Sequence, residues 1–305
     1  MSAPSSPGLA SARDDALSLT DPIYRQIRDL IYKVSGIYQP EEKLYLLANA
    51  CTRRIKLVNV DSSRAYWNLL MASPNRDPEM RALLNEVTIG ETCFFRSQPQ
   101  LEALRKIILP ELVKEKSRQI LKRIRLWSAG CSTGEEPYTL AMTLLEEADG
   151  LLRGWTFDIQ ATDLNDRSLE AAKAGVFGDY ALRMTPELFK RKYFTSIDEK
   201  HLQVRPEVKN LITFNRLNLR DDAKMLFMRG IDVIFCCNVL IYFDGVSKTM
   251  VVNHFFNDLN SGGYLFLGTS ESLMKLNEQF HLMHFPGAIS YWKPLTRVQN
   301  NECAL

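Results

Sequence analysis

The 305-residue sequence has no C-x-x-C pair, no regular cysteine spacing, no internal repeat and no unbroken apolar run of membrane length. Each absence excludes a class of protein. The six cysteines, at 51, 93, 131, 236, 237 and 303, fit neither a zinc site nor a disulfide framework, so they read as reduced thiols and no metal is expected. The longest apolar run, Ile231 to Phe243, is broken by Asp232 and Asn238 and falls short of the ~20 residues a membrane span needs. The first twenty residues are rich in Ser, Ala and Pro and lack a basic-then-apolar start. They read as a disordered tail rather than a signal peptide, and the expected location is the cytoplasm.

A strong charge of one sign is also missing. The chain has 38 Lys and Arg against 36 Asp and Glu, a net charge of +2, which argues against a nucleic-acid binder. That balance hides segregation: residues 22–95 carry +2 and residues 96–126 carry +6, while residues 127–305 carry −4. A basic front half suits an anionic partner, although a solvated helix face accounts equally well for any one basic stretch.

What is present divides into two grammars. From Pro22 to about Ile89 apolar residues recur at helical spacing. Ile23, Ile27, Leu30, Ile31 and Val34 mark one helix, a second opens at Pro40-Glu41-Glu42, and a third is capped by Asp61-Ser62-Ser63. A fourth follows Pro78. After Phe95 a basic helix, about Gln98 to Gln119, leads into strands alternating with helices, the pattern of a parallel, doubly wound sheet. Strands are expected at 123–129, 157–163, 231–237 and 264–268, the last after a helix ended by Gly262-Gly263. A hairpin is expected at 280–293, and a small β-insert with strand-like pieces at 201–205 and 211–214. The domain boundaries expected are a tail over 1–21, a helical domain over 22–89, an α/β domain over 90–295 with a β-subdomain at about 195–217, and a tail over 296–305.

Chemistry concentrates around Gly130-Cys-Ser-Thr-Gly134, between a strand and a helix. No Lys-Ser/Thr follows the last glycine, and Glu135-Glu136 would repel phosphate, so this is not a phosphate loop. Two acids suit a helix N-terminus. They also suit a cationic ligand such as an amino-acid ammonium. Asp163, ending the next strand, is placed to accept hydrogen bonds from ribose hydroxyls, which fits an adenosine-containing cofactor without separating NAD from S-adenosylmethionine.

Six blocks separate them: Thr92-Cys-Phe-Phe-Arg96, Trp127 to Tyr138, Ala161-Thr-Asp-Leu-Asn165, Asn215-Arg-Leu-Asn-Leu219, Cys236 to Phe243 and Gly268-Thr-Ser-Glu271. In content and order the chain resembles the chemotaxis receptor methyltransferases over about residues 22–293. The resemblance implies a class I, Rossmann-like methyltransferase sheet with a C-terminal β-hairpin and a small β-insert, preceded by a small all-α domain. It implies transfer of methyl from S-adenosylmethionine to glutamate side chains of chemoreceptors, leaving S-adenosylhomocysteine. Gly130 lies in the glycine loop, and Thr92, Arg96, Glu136, Asp163, Asn218, Leu219 and Asn238 fall where the family contacts the cofactor. Tyr242 falls beside the transferred methyl, and Arg96 and Tyr242 are the catalytic candidates. Arg53, Arg54 and Lys56 fall on the receptor-facing helix. The stretch Thr195 to Leu202 lacks glycine and is short, so no binding of a receptor tether pentapeptide is expected. Two positions depart from the family: Gly90 stands where Asn is usual, and Cys237 where Arg is usual.

The chemistry agrees on independent grounds. A free glutamate, with a pKa of about 4.3, is already ionised at neutral pH and needs no strong base to attack a methyl activated by a sulfonium. No histidine occurs in the motif blocks, which would be awkward for a hydrolase and is expected here. The rivals are a same-fold methyltransferase with a nucleic-acid or small-molecule acceptor, and a cofactor-binding signalling adaptor with little catalysis.

Overall fold

The computed structural model describes residues 22–72, 78–88 and 90–295; both expected tails, 1–21 and 296–305, lie outside the described residues. The chain divides into two units, Met1–Ile89 with Tyr242–Asp244, and Gly90–Ile241 with Gly245–Leu305.

The first unit is helical: α1 (Pro22–Ser35), α2 (Leu44–Leu57), α3 (Ser63–Ala72) and α4 (Pro78–Val87). Helix α1 buries Ile23, Ile27 and Ile31 along one stripe and stops at Gly36, whose left-handed backbone (φ 78°) turns its N–H to the Tyr32 carbonyl at 2.8 Å. Helix α3 is capped as its sequence predicts, with Ser62 Oγ accepting from the Ala65 N–H at 3.2 Å. The centre of the unit is polar. Glu79 is buried and accepts from both Arg54 Nε (3.0 Å) and Nη2 (2.6 Å) and from the Tyr66 hydroxyl (2.7 Å). Residues 242–244 complete this unit: Tyr38 N–H donates to the Tyr242 carbonyl at 2.9 Å, and Tyr32 Oη donates to Asp244 at 2.8 Å.

The second unit holds a seven-stranded sheet in the order β6-β2-β1-β7-β8-β10-β9. The strands are β1 (Arg123–Ala129), β2 (Thr156–Asp163), β6 (Ile212–Arg216), β7 (Ile231–Cys236), β8 (Leu259–Leu267), β9 (His281–Phe285) and β10 (Ala288–Trp292). β6 through β8 run parallel, and the β9–β10 hairpin adds the antiparallel edge. β7 is buried at every position, as its apolar run requires. Asp232 is tolerated there because Lys116 Nζ (2.6 Å), the Arg125 N–H (2.9 Å) and Asn260 Nδ2 (2.7 Å) all donate to it. The second unit has the expected Rossmann-like sheet with a C-terminal hairpin, and an all-α unit precedes it in sequence.

Three local readings change. The piece at 211–214 does not belong to the β-insert: as β6 it pairs in parallel with β2, Ile212 opposite Ile159, a partner some fifty residues away that local pattern cannot show. The insert is instead a separate sheet, β3 (Val176–Gly178), β4 (Phe194–Ser196) and β5 (His201–Val204), in the order β3-β5-β4. The basic helix is interrupted: α5 (Gln98–Ala103) and α6 (Leu109–Lys116) flank a π-helical segment, Leu104–Ile108, just before Pro110, which has no N–H to donate. Gly262-Gly263 does not end a helix either. Helix α8 (Gly245–Asp258), which follows α7 (Glu135–Glu147) in the second unit, stops earlier, and Gly263 lies within β8 at an irregular register, where a Cβ would stand 2.9 Å from the Asn260 carbonyl oxygen.

Candidate active site at the switch point of the sheet

The chain leaves β1 toward β2 and β6 on one side of the sheet and continues through β7 and β8 on the other. Strand order therefore reverses between β1 and β7, and the crevice beyond their C-terminal ends is where open α/β sheets bind ligands.

The loop from β1 to α7 closes one wall of that crevice. Gly130, Ser132 and Gly134 are all left-handed, with φ of 81°, 49° and 98°. A Cβ on Gly130 would stand 2.4 Å from Val239 Cγ2, so only glycine lets the loop approach the segment after β7. The N–H groups of Gly130 and Cys131 both donate to the Thr162 carbonyl, at 2.8 and 2.9 Å, tying the loop to the end of β2. Asp163 finishes the job: its two carboxylate oxygens accept from the Ser132 and Asn165 N–H groups, each at 2.8 Å. Burial raises the Asp163 pKa, and these amide donors work against that rise. Leu217 N–H donates to the Asp163 carbonyl at 3.0 Å, which fixes the turn bearing Asn218 and Leu219 against the same edge.

Glu136, in the first turn of α7, accepts from Ser128 Oγ at 2.6 Å, and the Cys237 thiol lies close to it. Burial pushes its carboxyl up to about 7, against these contacts and the charge of Arg96; nearby Glu271 pushes it further up. Gln100 donates to the Leu267 carbonyl at 2.7 Å, which orients its Oε1 toward Cys237 Sγ at 3.6 Å. Cys237 thus supplies a neutral donor. Asn238, left-handed at φ 62°, sits next along the chain and donates its N–H to Glu271 at 2.8 Å.

Arg96 is presented by a strained backbone. Phe95 before it has φ 55° although its ring is buried against Phe189, with ring centroids 4.8 Å apart. Such a conformation costs a bulky residue about 1–3 kcal/mol and concentrates at functional sites. Arg96 itself is exposed, with Nη1 donating to the Glu91 carbonyl at 2.8 Å. Thr92 is half-buried nearby in sequence, and Gly90 packs on the glycine loop, with Ser132 Oγ at 3.5 Å from its carbonyl oxygen.

These sequences and this geometry have known relatives. The family model for the CheR methyltransferase SAM binding domain matches residues 90–289, and that for the CheR methyltransferase all-alpha domain matches residues 23–88. The chain belongs to the CheR methyltransferase family. It is similar to chemotaxis protein methyltransferase 2 of Vibrio cholerae, with 34% identity over 276 residues that cover 90% of this chain and 94% of that protein. The chemotaxis protein methyltransferase of Escherichia coli is 34% identical over 272 residues, covering 88% of this chain and 90% of the relative. A probable chemotaxis protein methyltransferase of Rhizobium etli is 34% identical over 265 residues, covering 86% and 96%.

This CheR-family chain is a methyltransferase, and S-adenosylmethionine is its cofactor. The crevice fits that molecule. It is a cation, and the crevice holds Glu136 and Asp163 in carboxylate-rich surroundings behind a loop whose glycines leave room for close approach. Gly130, Glu136, Asp163, Asn218, Leu219 and Asn238 converge through the contacts above, and the charge of Arg96 reaches Glu136. Tyr242 ends a 3-10 turn, Leu240–Tyr242, that follows Asn238 along the chain. Arg54 also departs from expectation. Its bidentate pairing with Glu79 leaves the side chain only 11% exposed, so it holds the helical unit together rather than facing a receptor. Arg53 is paired to Glu86 with a 54% exposed side chain, and Lys56 is exposed. Ser128, Gln100 and Glu271 escaped the sequence reading as site residues. Ser128 and Glu271 stand inside quoted motif blocks; nothing local marks Gln100.

Proposed function

We propose that this methyltransferase esterifies glutamate side chains of chemoreceptors in the cytoplasm. S-adenosylmethionine supplies the activated methyl group. The observation that carries the reading is Glu136, a buried carboxyl group at the switch-point crevice whose hydrogen-bond donor is the neutral hydroxyl of Ser128. Such a site suits the positive charge of the cofactor.

The chain's own residues bind, orient and dehydrate. Thr92, Glu136, Asp163, Asn218, Leu219 and Asn238 hold the cofactor, with Gly130 giving it room. Arg96, carried on the strained Phe95 backbone, anchors a carboxylate. Tyr242, four residues beyond Asn238 along the chain, orients the attacking oxygen, a role that rests on the family resemblance. No general base is required, because a glutamate acceptor is ionised at neutral pH.

The receptor side of the reading rests on α2. Its outward residues Tyr45, Leu46, Arg53, Lys56 and Leu57 combine apolar and basic character, which complements an acidic helical bundle. A nucleic-acid partner is disfavoured. In the +6 stretch, Arg105, Lys106, Lys116, Arg123 and Arg125 are each paired with a carboxylate, which draws down part of the field a phosphate backbone would use. Tether pentapeptide is not a ligand, because β4 and β5 are joined by only residues 197–200, none of them glycine. Among the described residues no helix is long and apolar enough to cross a membrane, and no cluster is placed to hold a metal.

The deciding experiment incubates the protein with methyl-labelled S-adenosylmethionine and receptor-containing membranes. Label released as methanol by mild base is the expected result. Base-stable label, or label on nucleic acid, overturns the ester reading, and cofactor binding without incorporation points to an adaptor.

A further inference from the structure

Glu271 follows β8 by four residues and is buried, at 7% exposure. Its carboxylate has no ion-pair partner among the described residues. It accepts instead from backbone N–H groups: Oε2 from Asn238 (2.8 Å) and Gly268 (2.7 Å), Oε1 from Ile241 (3.2 Å). A buried carboxylate is costly unless such donors surround it. Two of the donors belong to the segment that leaves β7 at the switch point, so the carboxylate joins the ends of β7 and β8.

Gly268 is shaped to the same arrangement. A Cβ there would stand 2.8 Å from the Asn238 nitrogen, 2.8 Å from Glu271 Oε2 and 3.0 Å from Asn238 Nδ2. Asn238, for its part, occupies the left-handed region at φ 62°, which asparagine adopts more readily than most residues. The Glu271 carboxylate holds the N–H of that residue, and so fixes the peptide that joins it to Cys237.

We infer that Glu271 is a positioning residue for methyl transfer: by fixing the backbone of Asn238 and Ile241 beyond β7, it sets the affinity of the crevice for S-adenosylmethionine. The inference rests on the reading of this crevice as the cofactor site. Glu271→Gln tests it with the size preserved. The amide NH2 cannot accept, so the variant loses either the Asn238 and Gly268 bonds or the Ile241 bond, whichever way it lies.

The measurements are cofactor titration by calorimetry, KM and kcat with receptor membranes, and thermal melting, all on the full chain. Glu271→Gln is expected to raise Kd and KM for S-adenosylmethionine by about tenfold or more, with kcat changed by less than about threefold. Gly268→Ala, which crowds the same clamp from the other side, is expected to show the same signature and serves if Glu271→Gln does not fold. In a double-mutant cycle with Asn238→Ala, the combined loss should exceed the larger single loss by no more than about twofold, because both act through one residue.

A lowered melting temperature and kcat with unchanged KM and Kd would mean a merely structural role and overturn the inference. Fully multiplicative losses would do the same. If Glu136→Gln, Asp163→Asn and Asn238→Ala all leave Kd unchanged, the site reading itself falls, and this inference with it.

Discussion

Gly90 lies so close to Ser132 that a Cβ on Gly90 would stand 2.5 Å from the Ser132 hydroxyl oxygen and 3.0 Å from its Cβ. Ser132 is the left-handed residue whose N–H holds Asp163, so the absent side chain at 90 bears directly on the glycine loop. The departure from the family's usual Asn is thus a steric fit within this chain.

Gly90→Ala should displace Ser132 and weaken S-adenosylmethionine binding by about three- to tenfold, a loss of roughly 1 kcal/mol. Adding Ser132→Ala removes the nearer atom and should recover part of the affinity. Calorimetric titration of the single and double variants checks this; equal losses in both would show that the contact does not matter.

Glu136 predicts a pH dependence of cofactor binding. Its carboxyl is pushed up to about 7, chiefly by burial, so a large fraction is neutral below that pH. A cationic ligand prefers the ionised form. Affinity should therefore rise as pH increases from 6 to 8, level off above the titration, and be accompanied by proton release. Glu136→Gln should bind more weakly and with a flat profile over that range. Titration calorimetry in two buffers of different ionisation enthalpy measures the proton count.

Arg54 and its neighbours should separate cleanly. Arg54→Ala strands the buried Glu79 carboxylate and should destabilise the helical unit by about 3–5 kcal/mol in urea unfolding. Arg53→Ala and Lys56→Ala should change stability by less than about 1 kcal/mol. They should instead raise KM for receptor while leaving KM for cofactor alone. Receptors with and without a C-terminal tether peptide should be methylated with equal KM.

Arg96→Ala and Tyr242→Phe should both retain the fold, since Arg96 is exposed and Tyr242 is 43% exposed. Each should lower the rate of methyl-ester formation by about tenfold or more. Normal rates in both variants would show that the catalytic assignment is wrong.

Much of the site was legible because its chemistry is carried by contiguous motifs. Gly130 and Gly134 bracket a loop between a strand and a helix, and Asp163 ends the next strand; both facts need only local pattern. The same holds for β7, whose apolar run announces burial on two faces. Gln100 was not legible, because its role depends on Leu267 and Cys237, well over a hundred residues away.

The sequence by itself determined the helical and α/β halves, the strand–glycine loop–helix unit and the family, since periodicity, caps and motif order are properties of neighbouring residues. Only the tertiary structure decided that 211–214 completes the main sheet, that Arg54 is spent inside on Glu79, and that Glu271 gathers the ends of two strands. Each of these is a pairing across long sequence separation. Backbone ladders and buried charges are satisfied by whatever group the fold brings near, and a side chain's type states what it needs but not which distant partner meets the need.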